Sequence, residues 1–268
     1  MRHIDPVTAL VKDADAWRRC LQEPLRVLDV GARGGPLPVF CVFEEVLHLT
    51  LVEPDPHEAR RLRRDWGRNC AVLAIALGAT DTKATLHVTR NPGGSSLLAP
   101  DGDGVVAHVK RGRRSDASRF EVDEEIPVPV TSLQQLSRQE STHFEILKVD
   151  TQGSEGPIIQ GLGVERPLLI QLELTDDIPI YSGEWPASRV LQIVHSMGYI
   201  TLRRPRSRHG DWIILRDPQK ITSAAGAERA LVACCVMGVA VEAAHALAGS
   251  FKSLPLAQAI LVVGNPTN

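Results

Sequence analysis

The stretch Val27-Leu-Asp-Val-Gly-Ala-Arg-Gly-Gly35 decides the fold, because it predicts a buried strand that runs into a glycine-rich turn. A second apolar stretch, Leu51-Val-Glu-Pro-Asp-Pro56, predicts another strand, which ends on the carboxylate of Glu53 about 20 residues after Gly31. In open α/β sheets, the first turn lets a ligand approach the backbone, and the acidic end of the next strand binds ribose hydroxyls. Together, the two stretches predict a nucleoside-binding site on such a sheet.

The glycine spacing argues against a dinucleotide. That fingerprint is G-x-G-x-x-G, whereas Arg33 here replaces the second glycine. Asp29, two residues before Gly31, would repel a pyrophosphate. S-adenosylmethionine (SAM) carries no phosphate; Asp29 can favour its sulfonium and ammonium charges, and Arg33 or free N–H groups can bind its carboxylate. The turn therefore favours SAM.

Composition narrows the class of protein further. The chain has 268 residues, a formal net charge of −2 and 43% hydrophobic residues, which suits either one large α/β domain or one domain plus an appended helical segment. The near-neutral charge and the 4% aromatic content give no reason to expect nucleic-acid binding. The start of the chain has no apolar signal core, and the apolar stretch between Arg229 and Glu242 is far shorter than the roughly 20 residues of a membrane span. The five cysteines form no C-x-x-C pair, so we expect reduced thiols in a cytoplasmic protein without membrane attachment.

Strand and helix signals divide the chain into three regions. The predicted regions are an N-terminal helical region (1–24, with a helix over 6–21), a doubly wound, mainly parallel α/β sheet domain with an antiparallel closing strand (25–216), and a C-terminal helical extension (217–268, with an alanine-rich helical segment over 224–248). Inside the sheet domain, residues 91–120 are predicted to form a loop insertion, and the strands over 85–88 and 126–130 are predicted to pair.

Four segments resemble the FkbM-type family of SAM-dependent methyltransferases. They are Leu28-Asp-Val-Gly-Ala-Arg-Gly-Gly35, Leu51-Val-Glu-Pro-Asp-Pro56, Thr131-Ser-Leu133 and, most specifically, Leu147-Lys-Val-Asp-Thr-Gln-Gly-Ser-Glu155 with Gly161. The resemblance implies a Rossmann-like methyltransferase sheet and SAM as the cofactor. It also implies that Gly31 and Gly35 shape the SAM turn, that Glu53 binds the ribose and that Asp150 lies at the reaction centre. Arg33 departs from the family pattern, and nothing similar in the family accounts for residues 217–268.

Ligands in open α/β sheets bind outside the carboxyl ends of the strands, which selects the candidate residues. The predicted cofactor-binding residues are Asp29, Gly31, Arg33, Gly35, Glu53, Ala76, Asp150 and Gln152. Asp150 is also the predicted catalytic base, because a hydroxyl acceptor needs a proton acceptor near the sulfonium. Its alternatives are to cap the next helix or to neutralise the bound cation. No metal site is predicted, because Asp150, Gln152 and Glu173 have no distinctive ligand spacing.

The acceptor side of the predicted site is less defined. Ser95, Ser96 and Glu173 are the predicted substrate contacts. Gln171 and Glu173 share one face of a strand, so either both are satisfied by hydrogen bonds or one of them faces the ligand crevice. The basic runs over 110–114 and 203–208 either bind an anionic acceptor or are solvated loops.

The residues favour a SAM-dependent O-methyltransferase whose partner is a small hydroxylated acceptor, such as a sugar or a secondary metabolite. The alternatives are an NAD(P)-dependent reductase on the same kind of sheet and a non-catalytic SAM-binding partner module. Leu231, Cys235 and Val239 lie on one helical stripe, which predicts either core packing or a homodimer through the C-terminal helix.

Overall fold

The apolar runs of the sequence form short β-strands. The computed structural model describes residues 21–112, 116–175 and 178–251. The strands of these ranges are β1 Leu25–Val30, β2 Leu47–Val52, β3 Cys70–Leu73, β4 Ala76–Leu77, β5 Thr82–Thr89, β6 Val122–Thr131, β7 Ile146–Val149, β8 Leu169–Thr175, β9 Tyr199–Arg203 and β10 His209–Arg216. A 7-stranded sheet has the order β3-β2-β1-β7-β8-β10-β9. From β3 to β8 the neighbouring strands are parallel, whereas β10 is antiparallel to β8 and β9. The predicted doubly wound, mainly parallel sheet with an antiparallel closing strand is confirmed.

A second, 3-stranded sheet has the order β4-β6-β5. The predicted pairing of residues 85–88 with 126–130 is confirmed, because β5 and β6 are antiparallel with Thr85 opposite Pro127 and Leu86 opposite Ile126. Residues 71–76 are a third apolar run after those ending at Val30 and Glu53, and their sequence predicts a single strand, which is wrong. The run divides between β3 in the large sheet and β4, where Ala76 pairs with Val130 of the small sheet.

Three of the helices begin directly after a residue whose side chain caps them. The helices of the described ranges are α1 Pro38–Val42, α2 Pro56–Trp66, α3 Gly102–Gly112, α4 Leu133–Gln139, α5 Glu155–Gln160, α6 Ala187–Ser196, α7 Ala224–Val236 and α8 Ala240–Ala248. Asp55 caps α2 by accepting hydrogen bonds from the amides of His57 and Glu58. Ser132 and Ser223 cap α4 and α7 in the same way.

Two helical expectations need correction. The alanine-rich segment over 224–248 is two helices rather than one, because Gly238 adopts a φ of +68° between α7 and α8. The insertion over 91–120 is not an irregular loop, since it contains α3 and short 3₁₀ turns at Pro92–Gly94 and Ala117–Phe120. Except for Leu21, the predicted helix over 6–21 lies outside the described residues. In the described ranges, no helix is long and apolar enough to cross a bilayer.

The core has two layers because alternate residues of each strand face opposite sides of the sheet. Leu25 and Val27 of β1, with Ile146 of β7, pack against α7 and α8. Leu28 and Val30 of β1 pack on the other side, against α4, α5 and α6. These side chains are essentially inaccessible to solvent. The large sheet is therefore covered by helices on both faces.

The C-terminal helices are an integral layer of this core. Leu231 and Val239 are fully buried and Cys235 is 7% exposed, all within one apolar cluster. This confirms core packing for the predicted stripe, since its side chains are enclosed by the same chain. A homodimer through this segment stays a prediction.

Candidate functional site

The glycine turn after β1 is held against the ends of two neighbouring strands. Gly31 adopts a φ of +77°, and a Cβ atom there would lie 1.8 Å from the carbonyl oxygen of Asp150. The amides of Gly31 and Ala32 both donate to the carbonyl of Val52, at 3.0 and 3.2 Å. Only glycine fits the first position of this turn, because any side chain would push β1 away from β7. The turn is therefore fixed at the carboxyl-terminal rim of the sheet.

The acidic end of β2 lies beside this turn. Glu53 is 3% exposed, and its Oε1 accepts a hydrogen bond from the Asp55 amide at 2.9 Å. The Arg33 guanidinium donates to Asp55 Oδ2 at 2.7 Å and lies 3.6 Å from Glu53 Oε1. Burial raises the pKa of Glu53 to about 7, although Arg33 opposes the rise. Glu53 is thus a poorly solvated carboxylate that gains from further hydrogen-bond donors.

A cleft opens between the glycine turn, the end of β2 and the small sheet. We call it the rim cleft, and it is lined by Val30, Gly31, Arg33, Val52, Glu53, Pro54, Ala76, Leu77, Leu86, Pro92, Gly93, Ser95, Ser96, Leu97, Asp150, Thr151, Gln152 and Ser154. Eight predicted residues meet here, namely Gly31, Arg33, Glu53, Ala76, Ser95, Ser96, Asp150 and Gln152. Three predicted residues do not line it, namely Asp29, Gly35 and Glu173.

Asp29 lies beneath the cleft and is not among its lining residues. It is 1% exposed, its Oδ1 lies 3.0 Å from Nζ of Lys148, and its Oδ2 accepts the Leu37 amide at 3.1 Å. Burial raises the pKa of Asp29, and Lys148 opposes that rise. Lys148 already offsets the charge of Asp29, and the expected direct contact of Asp29 with the cation of SAM stays a prediction. The register of β1 on β7, which places Asp29 opposite Lys148, is the physical reason for their pairing.

Gly35 also serves the frame of the site. It adopts a φ of +127°, and a Cβ atom there would lie 3.1 Å from the Trp66 indole nitrogen. Its amide donates to the Ala32 carbonyl at 3.0 Å, which closes the turn. Gly35 therefore shapes the turn, as expected, from a position outside the cleft lining.

Two carboxylates at the ends of β7 and β8 are bridged by one amide. Gln152 Nε2 donates to Asp150 Oδ1 at 2.8 Å and to Glu173 Oε2 at 2.9 Å. Burial raises the pKa of Asp150; Lys148 opposes this rise and Glu173 adds to it. Burial also acts on Glu173, but hydrogen bonds from His209 and Gln152 outweigh it and lower its pKa. Asp150 is therefore the member of the pair that takes up a proton more readily.

The bridging amide is itself held in place. Gln152 adopts a φ of +57°, which is unusual for a residue with a side chain. Tyr181 contacts it from the loop after β8, with its hydroxyl donating to the Gly94 carbonyl at 2.8 Å and lying 3.3 Å from Gln152 Oε1. No group of three or more His, Cys, Asp or Glu side chains within the described ranges has the arrangement of a metal site.

The serine hydroxyls of the cleft differ in their partners. Ser96 Oγ donates to the Gln152 carbonyl at 2.7 Å, and Ser95 Oγ accepts the Thr89 amide at 3.2 Å, so both fix the loop that carries them. Ser154 was missed by the sequence reasoning. Its hydroxyl is buried against the cleft and, within the described residues, has no hydrogen-bond partner. A buried unpaired hydroxyl is costly. In the described ranges, the buried polar atoms without a partner also include those of Ser137, Gln171 and Trp212, which do not line the cleft.

Glu173 and Gln171 share one face of β8 but differ in their surroundings. His209 Nε2 lies 3.3 Å from Glu173 Oε1, so Glu173 joins a polar network beside the cleft. Gln171 is buried one register position deeper, and its Oε1 has no hydrogen-bond partner in the described part of the chain. Only Glu173 belongs to the functional rim, although it does not line the cleft itself.

Comparisons with known proteins decide the class of this site. Residues 29–201 match the model of the methyltransferase FkbM domain. The chain belongs to the FkbM methyltransferase family. It is therefore a SAM-dependent methyltransferase, and the reductase and non-catalytic alternatives are set aside. No curated protein matches the sequence.

Several solved methyltransferase structures are similar to this chain at low identity. A TehB-like SAM-dependent methyltransferase from Corynebacterium glutamicum is 10% identical, with a TM-score of 0.34 over 78% of this chain and 86% of that chain. A putative O-methyltransferase from Klebsiella pneumoniae is 12% identical, with a TM-score of 0.35 over 78% and 89%. The O-methyltransferase from Bacillus cereus in complex with SAH is 9% identical, with a TM-score of 0.31 over 78% and 90%. These likenesses are too weak to transfer a substrate to this chain.

Proposed function

We propose that the rim cleft binds SAM and that the enzyme methylates a hydroxyl group of a small acceptor, such as a sugar or a secondary metabolite. The single observation that carries this proposal is the convergence of Glu53, the Gly31 turn and the amide-bridged pair Asp150–Glu173 at one rim of the sheet. The first two features suit an adenosyl group, and the carboxylate pair suits removal of a hydroxyl proton.

The residues of the cleft fit SAM as the cofactor. The Glu53 carboxylate offers acceptors to the ribose hydroxyls, and the apolar side chains of Leu77, Leu86 and Leu97 offer a surface for the adenine ring. Ser154 supplies a buried hydroxyl that needs a partner. When bound, SAM supplies a methyl group made electrophilic by the sulfonium, so the chain has to supply alignment and a proton acceptor.

Asp150 is the proposed proton acceptor. It is partly exposed at the cleft, with 37% of its side chain accessible, so an acceptor hydroxyl can reach it. The raised pKa of Asp150 makes its carboxylate a stronger base than an ordinary aspartate. Gln152 orients this carboxylate, and His209 lowers the pKa of the neighbouring Glu173, so Asp150 is the better acceptor of the hydroxyl proton. Removing such a general base typically lowers the rate by about 10²–10⁴-fold.

Isothermal titration calorimetry with S-adenosylhomocysteine (SAH) tests the cofactor part. We expect SAH to bind the wild type, NADH not to bind, and Glu53→Ala to weaken SAH binding by at least about tenfold, since each hydrogen bond to a charged group contributes about 1.5–3 kcal/mol. Glu140→Ala is the matched control, because Glu140 is exposed at the end of α4. Equal SAH affinity in Glu53→Ala and the wild type would show that the ribose site is elsewhere.

Transfer of a tritiated methyl group from SAM to a panel of hydroxylated acceptors tests the catalytic part. For any acceptor that the wild type methylates, Asp150→Asn should retain SAH binding and lose most of the transfer rate. NMR of the product should place the new methyl group on oxygen. Full transfer by Asp150→Asn, or a methyl group on nitrogen, contradicts the proposal.

A further inference from the structure

A second concave surface lies at the same rim, in the turn between β9 and β10. We call it the arginine turn, residues 203–211, and its concavity is lined by Arg203, Arg204, Arg206, His209 and Asp211 among others. Arg208 belongs to the same turn, so nine consecutive residues carry four arginines, one histidine and one aspartate. Arginine stays protonated at any physiological pH, so this turn carries four permanent positive charges.

The positive charges of this turn are only partly neutralised. Arg203 donates to Glu242 at 2.9 Å and to the Gly238 carbonyl, so it is committed to α8. Arg204 lies over the Trp212 ring, 5.8 Å from its centroid. Arg206 and Arg208 are exposed and, within the described residues, make no hydrogen bond or ion pair. Guanidinium groups left free around a concavity attract anions, and their planar fork matches a phosphate.

The turn has a defined shape. Gly210 adopts a φ of +146°, and a Cβ atom there would lie 3.0 Å from the Cβ of Pro205, so the two arms of the turn pack closely. The Ser207 hydroxyl donates to the His209 carbonyl across the turn. The arginines therefore project from an ordered backbone, which lowers the entropic cost of binding an anion.

The arginine turn is connected to the rim cleft through two contacts. His209 lines the turn and lies 3.3 Å from Glu173, and Glu173 accepts a hydrogen bond from Gln152, which lines the cleft. A molecule with a hydroxyl at Asp150 can thus extend past Glu173 to the arginines. The two ends have opposite charge, so an anionic group is repelled from the carboxylates and attracted to the turn.

We propose that the methyl acceptor carries a phosphate group and that the arginine turn binds it while the acceptor hydroxyl lies at Asp150. This inference rests on the proposed function and names its substrate class. The charge arrangement orients the acceptor, because its phosphate suits only the arginine turn and its hydroxyl suits the carboxylate at Asp150. A neutral sugar would use the cleft but leave Arg206 and Arg208 without a partner.

Calorimetry with inorganic pyrophosphate tests this on the full chain, saturated with SAH. The test variant is Arg206→Gln/Arg208→Gln. The matched control is Arg68→Gln/Arg138→Gln, which removes two exposed arginines elsewhere and changes the net charge equally. We expect the wild type and the control to bind pyrophosphate, and the test variant to bind at least about tenfold more weakly, since arginine–phosphate bonds are charge-assisted. SAH affinity should be the same in all three proteins.

Three results would overturn the inference while leaving the proposed function intact. They are no pyrophosphate binding by the SAH-saturated wild type, equal pyrophosphate binding by the test variant and the wild type, and an equal loss in the control. If SAH does not bind the wild type at all, the proposed function itself fails. The SAH titration of the same samples therefore separates the two failures.

Discussion

Lys148→Met is the substitution that tests the polar centre beneath the site most severely. Lys148 Nζ lies 3.0 Å from Asp29 Oδ1, 3.6 Å from Asp150 Oδ2 and 3.2 Å from the Gly31 carbonyl. The side chains of Lys148 and Asp29 are 6% and 1% exposed. Methionine keeps the length of the lysine and removes its charge, so the variant leaves the Asp29 carboxylate buried without its cation.

The size of the effect follows from this burial. Removing one partner of a buried ion pair costs about 3–5 kcal/mol. A chain of this size loses about 2–4 °C of melting temperature per kcal/mol, so Lys148→Met should melt about 6–20 °C lower. Adding Asp29→Asn removes the unpaired charge while its side-chain oxygen still accepts the Leu37 amide. The double variant should therefore regain at least about 2 kcal/mol of the loss.

Urea unfolding, monitored by circular dichroism, gives the unfolding free energies of the wild type, Lys148→Met, Asp29→Asn and the double variant. Burial raises the pKa of Asp29, so in Lys148→Met this carboxyl can take up a proton as the pH falls. The loss of unfolding free energy should accordingly be smaller at pH 5 than at pH 8. Lys83→Met, at an exposed position of β5, is the control and should change stability by less than about 0.5 kcal/mol.

This account is wrong if the unfolding free energy of Lys148→Met lies within about 1 kcal/mol of the wild-type value, because removing one partner of a buried ion pair costs about 3–5 kcal/mol. It is also refuted if the double variant is less stable than Lys148→Met alone. Either result would mean that Asp29 has another counterion. It would favour the predicted direct contact between Asp29 and the cation of SAM.

Three further predictions concern single residues of the rim. Gly31→Ala places a Cβ atom 1.8 Å from the Asp150 carbonyl at a φ of +77°, so thermal unfolding should show a loss greater than the about 1–3 kcal/mol of backbone strain alone; an unchanged melting temperature contradicts the close approach. Burial raises the pKa of Glu155 from 4.5 to about 7, so the folded state binds the proton more tightly than the unfolded state and stability falls as the pH rises between these values. Glu155→Gln should remove this slope and be up to about 3 kcal/mol more stable than the wild type at pH 8 in urea unfolding, with no gain below pH 4.5; a gain that is independent of pH counts against it. Since the pKa of Glu53 is raised to about 7 and ribose hydroxyls favour the carboxylate, SAH affinity by calorimetry should fall as the pH drops from 8 to 6, and should do so less in Glu53→Gln; identical pH profiles would exclude Glu53 as the titrating group.

Local sequence patterns were enough to predict the frame of this enzyme. The apolar run before Gly31 and the run ending at Glu53 each fix a strand, and parallel strands bring their carboxyl ends to one rim. That rule places Gly31, Glu53 and Asp150 at one rim, and the order β2-β1-β7 then brings them to one cleft. The role of Gly31 could also be predicted from the sequence, because a tight turn directly after a strand requires glycine.

The contacts that depend on strand order were not readable from the sequence. Asp29 and Lys148 are 119 positions apart, and only the pairing of β1 with β7 places them side by side. The sequence showed Asp29 as a strand-end carboxylate and gave no sign of its buried cation. Lys148 and Asp150 do share one strand face by their spacing of two, which is the signal that would have suggested their ion pair.

Contacts made by loops were even less accessible. Tyr181 reaches Gln152 from the segment after β8, and no spacing rule connects the two. The division of the alanine-rich tail at Gly238 depends on its left-handed backbone, whereas the surrounding composition favours one continuous helix. The unpaired hydroxyl of Ser154 is visible only once the cleft around it is built.

The most direct test of the account is a crystal structure of the full chain grown with SAH. We predict density for the adenosine in the rim cleft, with the ribose hydroxyls within hydrogen-bond distance of the Glu53 carboxylate and the sulfur end toward Asp150. Density for SAH at another surface, with the rim cleft filled only by solvent, would contradict it.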